Sequence, residues 1–167
     1  MSLERLWAGW RTEYVSSAGE AGPGDAGCVF CRILTSGEPD ESTGVVWRGE
    51  GVVAILNAYP YTSGHLMVMP TRHVGELEDL GADASEVWSA VTAGVRALKA
   101  AYQPEGINVG ANLGRAAGAG VPGHFHVHLL PRWNGDTNFM TSVAETRVLP
   151  ESLDATWAKL RTSWPTD

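Results

Sequence analysis

Three of the five histidines lie in the stretch Gly123-His124-Phe125-His126-Val127-His128-Leu129-Leu130-Pro131-Arg132, at strict two-residue spacing. An imidazole near neutral pH can act as nucleophile, proton carrier or metal ligand. On a β-strand alternate side chains share a face. His124, His126 and His128 would then form a row with ~6.5–7 Å between successive Cα atoms, while Phe125, Val127 and Leu129 turn into a core. One histidine on a strand is usually just a hydrogen-bonded residue. Three in alternation each need water, a partner or a ligand, so catalysis and metal binding must both be weighed against a structural role.

The residues entering this stretch favour chemistry on phosphate. Gly118-Ala119-Gly120-Val121 is built of small residues that let backbone amides approach an anion closely. Alone, such a loop is more often a turn. Running directly into the histidines, it places amide donors beside a nucleophile. That arrangement suits attack at phosphorus, where the equatorial oxygens need fixed donors. A second set of reactive residues is Cys28-Val29-Phe30-Cys31, which holds the only two cysteines of the chain. In a reducing compartment this spacing points to metal binding or redox work rather than a structural disulfide. Two thiolates cannot complete a tetrahedral zinc site, so other ligands would have to join them.

The elements that must position these groups follow from periodicity. Val45-Val46-Trp47-Arg48 and Val52-Val53-Ala54-Ile55-Leu56 read as a hairpin hinged at Gly49-Glu50-Gly51. His65-Leu66-Met67-Val68-Met69-Pro70 reads as a largely buried strand stopped by proline. From Asp83 to Tyr102, Val87, Val91, Val95 and Leu98 form a helical stripe flanked by Trp88 and ended by Pro104. Ile107 to Asn112 reads as a short strand leading to the glycine-rich segment. Pro150-Glu151-Ser152-Leu153 opens a final helix with Trp157 and Leu160 on one side. Leu3 to Arg11 is aromatic-rich without a clean period, hence an ordered arm, and 16–27 is a Gly/Ser/Ala-rich loop. The expected class is α+β: an antiparallel sheet with one main inserted helix and a C-terminal helix. The 167 residues are read as a single domain with an aromatic N-terminal arm and a C-terminal extension.

A net charge of −7 argues against a nucleic-acid polymer or an anionic membrane as partner, though not against a local anion pocket made of amides. No run approaches the ~18 apolar residues of a membrane span. Met1-Ser2-Leu3-Glu4-Arg5 lacks the basic start and apolar core of a secretory signal, so a cytoplasmic location is expected.

Several of these motifs together resemble the histidine-triad family of nucleotide hydrolases and transferases. They are Asn112-Leu113-Gly114, Gly118-Ala119-Gly120-Val121 and His124-x-His126-x-His128-Leu129-Leu130-Pro131-Arg132-Trp133. The likeness extends to Cys28-x-x-Cys31, Leu56-Asn57, Gly64-His65-Leu66-Met67-Val68 and Pro70-x-x-His73. Leu6-Trp7-x-x-Trp10-Arg11-x-x-Tyr14 and Trp133-Asn134-Gly135-Asp136-Thr137-Asn138-Phe139 are similar to the branch containing bacterial diadenosine tetraphosphate phosphorylases.

The resemblance implies roles. His126 would attack the α-phosphorus of a nucleotide and form a nucleotidyl-histidine, which splits one displacement into two. His128 would donate to the phosphate or bridging oxygen, and His65 would lie near the phosphates. Asn57 would bind the ribose, and Asn112 a phosphate or bridging oxygen, unless each merely caps a turn. Gly118, Ala119, Gly120 and Val121 would supply amides. Trp133 would stack on the base or else pack in a core or dimer contact. Arg132 and Arg115 are candidates for steering phosphate, each with a structural role as the alternative. Cys28, Cys31, His73 and His124 would hold a structural zinc, and the chain would form a homodimer or larger homo-oligomer.

The branch resemblance alone implies phosphorolysis of a dinucleoside polyphosphate, with inorganic phosphate as second substrate, since the motifs themselves do not separate phosphate from water as acceptor. The alternatives are water as acceptor, on dinucleoside polyphosphates or nucleoside phosphoramidates; a metallohydrolase with the three histidines as ligands; and a nucleotide- or metal-binding module without turnover.

Overall fold

The computed structural model describes residues 27–136 and 150–166. The arm at 3–11, the loop at 16–26 and Thr137 to Phe139 lie outside the described residues. The elements run α1 (Val29–Thr35), α2 (Asp40–Thr43), β1 (Val45–Arg48), β2 (Val52–Leu56), β3 (Leu66–Pro70), α3 (Asp83–Tyr102), β4 (Gly106–Gly110), β5 (Val127–Arg132) and α4 (Leu153–Ser163). Two short 3-10 turns intervene, at Leu77–Leu80 and Arg115–Ala117.

The expected α+β class with an antiparallel sheet is what the chain adopts. The five strands lie in the order β1-β2-β3-β5-β4, and every neighbouring pair is antiparallel. The hairpin, the buried β3 and both helices fall where periodicity puts them. The α3 stripe buries Val87, Val91 and Leu98 together with Ala90, Gly94 and Ala97. At its end Gln103 turns left-handed (φ 47°), and Pro104 prevents continuation.

Alternation in the strands separates two cores. Ala54, Leu56, Leu66, Val68, Val127 and Leu129 face α3 and α4. Val53, Ile55, Met67 and Met69 face the other way, toward Cys28 and Phe30 at α1. Helix α4 is locked to the edge strand through Trp157 Nε1 donating to the Val45 carbonyl (2.7 Å) and Arg161 donating to that of Val46 (2.8 Å). Its N-cap Ser152 accepts from the Ala155 amide.

Two local expectations change. β5 begins only at Val127, so His124 lies in the preceding bend and His126 in the link between them, and of the three histidines His128 alone is in the ladder. The strand at 107–112 is β4, which ends at Gly110 and leaves Asn112 in the loop beyond it. No helix among the described residues is long and apolar enough to cross a membrane.

Candidate active site

His126 is 6% exposed, and burial pushes its pKa below the ordinary histidine value, opposed by a bond to the backbone. The ring is therefore neutral at pH 7 and carries one hydrogen. Its Nδ1 is 2.8 Å from the carbonyl oxygen of His124. A carbonyl can only accept, so the hydrogen sits on Nδ1 and Nε2 presents a bare lone pair. The chain thus places on a main-chain atom the acceptor that a nucleophilic imidazole requires.

A second tautomer follows from the loop 57–65. The Tyr61 backbone N–H donates to His65 Nδ1 (3.1 Å), which fixes that nitrogen as an acceptor. The hydrogen of His65 is then on Nε2, and this atom lies 2.9 Å from His128 Nδ1. Since His65 donates there, His128 keeps its own hydrogen on Nε2, as a donor to a ligand. Asn57 Nδ2 is 3.5 Å from His65 Nε2. Asn57 Oδ1 already accepts from the Tyr59 amide at 2.8 Å, which orients the amide group. Nδ2 and Nε2–H are therefore two donors in contact rather than a bonded pair.

The loop closes on itself through Asn57 N–H to the His65 carbonyl (3.0 Å). It depends on Gly64, whose φ is +80° and where a Cβ would lie 2.9 Å from the Tyr102 ring. The rings of His126 and His128 meet edge to face at 4.8 Å. A ring with one bare nitrogen and a ring whose free nitrogen carries its hydrogen are thus neighbours.

His128 titrates low, at about 4, first because burial disfavours its cation and second because a charged His126 would repel it. The unfolded chain would titrate near ~6.5, so between these values it binds a proton that the folded protein refuses. Stability therefore falls as pH drops through that window. Thermal unfolding from pH 7 to 4.5 should show a steeper loss for the unmodified protein than for His128→Gln, by about one proton taken up on unfolding. Equal slopes would contradict the buried neutral ring.

The glycine segment contributes fewer amides than its composition suggests. The N–H of Gly118 bonds the Arg115 carbonyl (2.9 Å) and that of Ala119 the Gly114 carbonyl (3.3 Å), so both close the 3-10 turn. The amides of Gly120 and Val121 take no part in that turn. Asn112 braces the segment, Nδ2 donating to the Gly118 carbonyl at 3.4 Å.

The donor atoms of Cys28, Cys31, His73 and His124 lie within 4.8 Å of one another. Cys28 Sγ is 3.4 Å from His124 Nδ1, and Cys31 Sγ is 3.3 and 3.6 Å from Nδ1 of His73 and His124. Tetrahedral zinc, with Zn–S of about 2.3 Å and Zn–N of about 2.0–2.1 Å, has S···N edges of roughly 3.5–3.6 Å. The donor set and spacing fit that ion. His124 Nε2 lies 2.8 Å from the Pro70 carbonyl, which puts its hydrogen there and turns Nδ1, without a hydrogen, toward the cysteine sulfurs. The histidines 124, 126 and 128 accordingly do not converge on one point, which removes the geometry for a three-histidine open metal site.

Trp133 meets the Tyr102 ring edge-on at 6.3 Å, a packing contact. Arg132 is held bidentately by Asp136 (2.6 and 2.7 Å) and also donates to Asn108, so its guanidinium has a structural role. Arg115 is exposed in the 3-10 turn. The residue that sequence reasoning missed is Phe30. It is buried, and its ring contacts both His124 and His126. Its place between the two cysteines was the available signal.

The HIT domain model matches residues 38–135. Over 165 residues, 97% of this chain and 85% of the relative, the sequence is 40% identical to an AP-4-A phosphorylase of Mycobacterium tuberculosis. A zinc-bound histidine triad family protein from Mycobacterium smegmatis superposes with a TM-score of 0.66 at 29% identity, covering 84% of this chain and 94% of that one. A hypothetical histidine triad nucleotide-binding protein from Sulfolobus tokodaii gives the same TM-score and identity, covering 81% and 91%. Motif, sequence and fold agree, and the chain belongs to the HIT, or histidine triad, family.

Proposed function

We propose that the protein is an enzyme that cleaves diadenosine tetraphosphate, or a close dinucleoside polyphosphate, by phosphorolysis through a nucleotidyl-histidine at His126. The observation behind this reading is the pair of opposite tautomers: Nε2 of His126 without a hydrogen beside Nε2–H of His128. In the first step the His126 lone pair forms an N–P bond at the α-phosphorus, and the P–O bond to the bridging oxygen breaks. ATP leaves. It is a stable anion, so a hydrogen bond from His128 to the departing oxygen suffices. In the second step an oxygen of inorganic phosphate attacks the same phosphorus, the N–P bond breaks and ADP is released. The sum is diadenosine tetraphosphate plus phosphate giving ATP plus ADP.

His65 keeps His128 in its donating tautomer. Asn57 bonds the ribose, and Asn112 shapes the segment whose Gly120 and Val121 amides bind phosphate oxygens. Gly118 and Ala119 hold its turn. Trp133 acts on the base side or only in packing. A zinc ion on Cys28, Cys31, His73 and His124 is structural, since four protein ligands leave no open position. The likeness to AP-4-A phosphorylase supports the choice of substrate and acceptor. The mostly exposed edge strand β4 suits continuation of the sheet into a second copy, as a homodimer or larger assembly of one-domain chains in the cytoplasm.

The test is product analysis with diadenosine tetraphosphate, with and without inorganic phosphate. ADP and ATP formed only with phosphate are expected. AMP and ATP formed in water would replace phosphate by water as the acceptor. No turnover of any dinucleotide would overturn the dinucleotide substrate and point to another nucleotide derivative.

A further inference from the structure

Phe30 stands at a junction that the mechanism above does not use. It lies in the first turn of α1 between Cys28 and Cys31, and it is 6% exposed. Its ring meets His124 edge-on at 5.5 Å and 83°, and His126 at 5.2 Å and 65°. Both separations fall in the range of about 4.5–7 Å that aromatic pairs prefer. Behind it lie Ile55, Met67 and Met69.

The bond from His126 Nδ1 to the His124 carbonyl fixes the tautomer, yet a single bond leaves the ring free to twist about it. The twist is limited by what touches the ring faces and edges: Phe30 and, at 4.8 Å, His128. The place of Phe30 is set in turn by the two thiols flanking it, whose partners are His124 and His73.

We infer that Phe30 is a positioning residue that sets the rotation of the His126 ring and makes it depend on closure of the Cys28–Cys31–His73–His124 cluster. The inference rests on His126 as nucleophile and adds a route by which metal occupancy governs the aim of Nε2. The effect is one of orientation. A reacting atom displaced by about 1 Å can cost on the order of a hundredfold in rate, so a smaller rotation corresponds to roughly tenfold.

The test compares the unmodified chain with Phe30→Leu, Phe30→Met and Phe30→Tyr, each with and without a zinc chelator. The readouts are bound metal, thermal unfolding, the kcat and KM split, and the His126 ring signals in NMR of histidine-labelled, substrate-free protein. The Leu and Met variants are expected to keep their metal and fold. Their kcat should fall roughly tenfold with KM within about twofold, and the His126 signals should move as they do on chelation of the unmodified chain. Tyr, which keeps the ring, should restore both. Chelation of the Leu variant should then add little to the changes in kcat and in the His126 signals, although it should still lower thermal stability.

Unchanged His126 signals and kcat in metal-loaded Leu and Met variants would overturn the inference. So would equal chelator effects on kcat and on the His126 signals with and without Phe30, or variants that simply lose metal and fold. Should the substrate reading fail, the unmodified protein will show no turnover, and the NMR comparison still decides the role of Phe30.

Discussion

Replacing His126 by alanine or glutamine is expected to lower turnover by at least ~10⁴-fold, the scale seen when a nucleophile acting within a catalytic unit is removed. Nucleotide binding should survive within a few-fold, because Asn57 and the loop amides remain. Metal content should survive too, because His126 is not among the four clustered donors. Substrate labelled in the adenylate, mixed with the unmodified protein and quenched in base, should leave label on the chain as an acid-labile phosphoramidate. The alanine variant should leave none. His128→Ala should keep slow labelling, with a loss of about 10²–10³-fold, since it removes a donor to the departing oxygen and leaves the attacking nitrogen in place. Turnover by the His126 variants near the unmodified rate would sink the covalent route.

Loss of one metal donor should act on the fold first. Cys28→Ser is expected to abolish stoichiometric zinc and to cost on the order of 4 kcal/mol, the range associated with loss of a structural metal. For a chain of this size that is a drop of about 10 °C in the midpoint of thermal unfolding. The penalty is large because Cys28 and His124 are both buried, at 3% and 0% exposure, and the cluster joins α1, the segment after β3 and the link before β5. A chelator on the unmodified protein should give the same drop, reversed by zinc. Full thermal stability of a metal-free unmodified chain would refute the structural role.

Side-chain identity makes the site visible in the sequence. The alternating histidines, the cysteine pair and the glycine segment are reactive residue types at telling intervals, and the stripe from Val87 to Leu98 marks α3 because burial selects a helical period. What stayed hidden belongs to the main chain. The acceptors for His126 and His124 are the carbonyls of His124 and Pro70, and the donor to His65 is the Tyr61 amide. Every residue has those groups, so no letter in the sequence announces which are used. The 3-10 turn that occupies the Gly118 and Ala119 amides was illegible for the same reason. The late start of β5 follows from His124 turning toward the cysteines, a long-range demand that overrides local alternation. Phe30 is marked in the sequence only by standing between the two cysteines, and the fold brings it against two imidazoles.

The neutral partner of His126 bears on the second half of the reaction as well as the first. A carboxylate in that place would make the imidazole more basic, hence a keener attacker but a poorer group to expel. The carbonyl of His124 carries no net charge, and the basicity it lends the ring is outweighed by burial. On the proposed route the same nitrogen must first bond to phosphorus and then be displaced from it. A less basic imidazole departs more readily, so the phosphoramidate is kept from becoming a resting state. Because the acceptor is backbone, no single side-chain replacement can delete it.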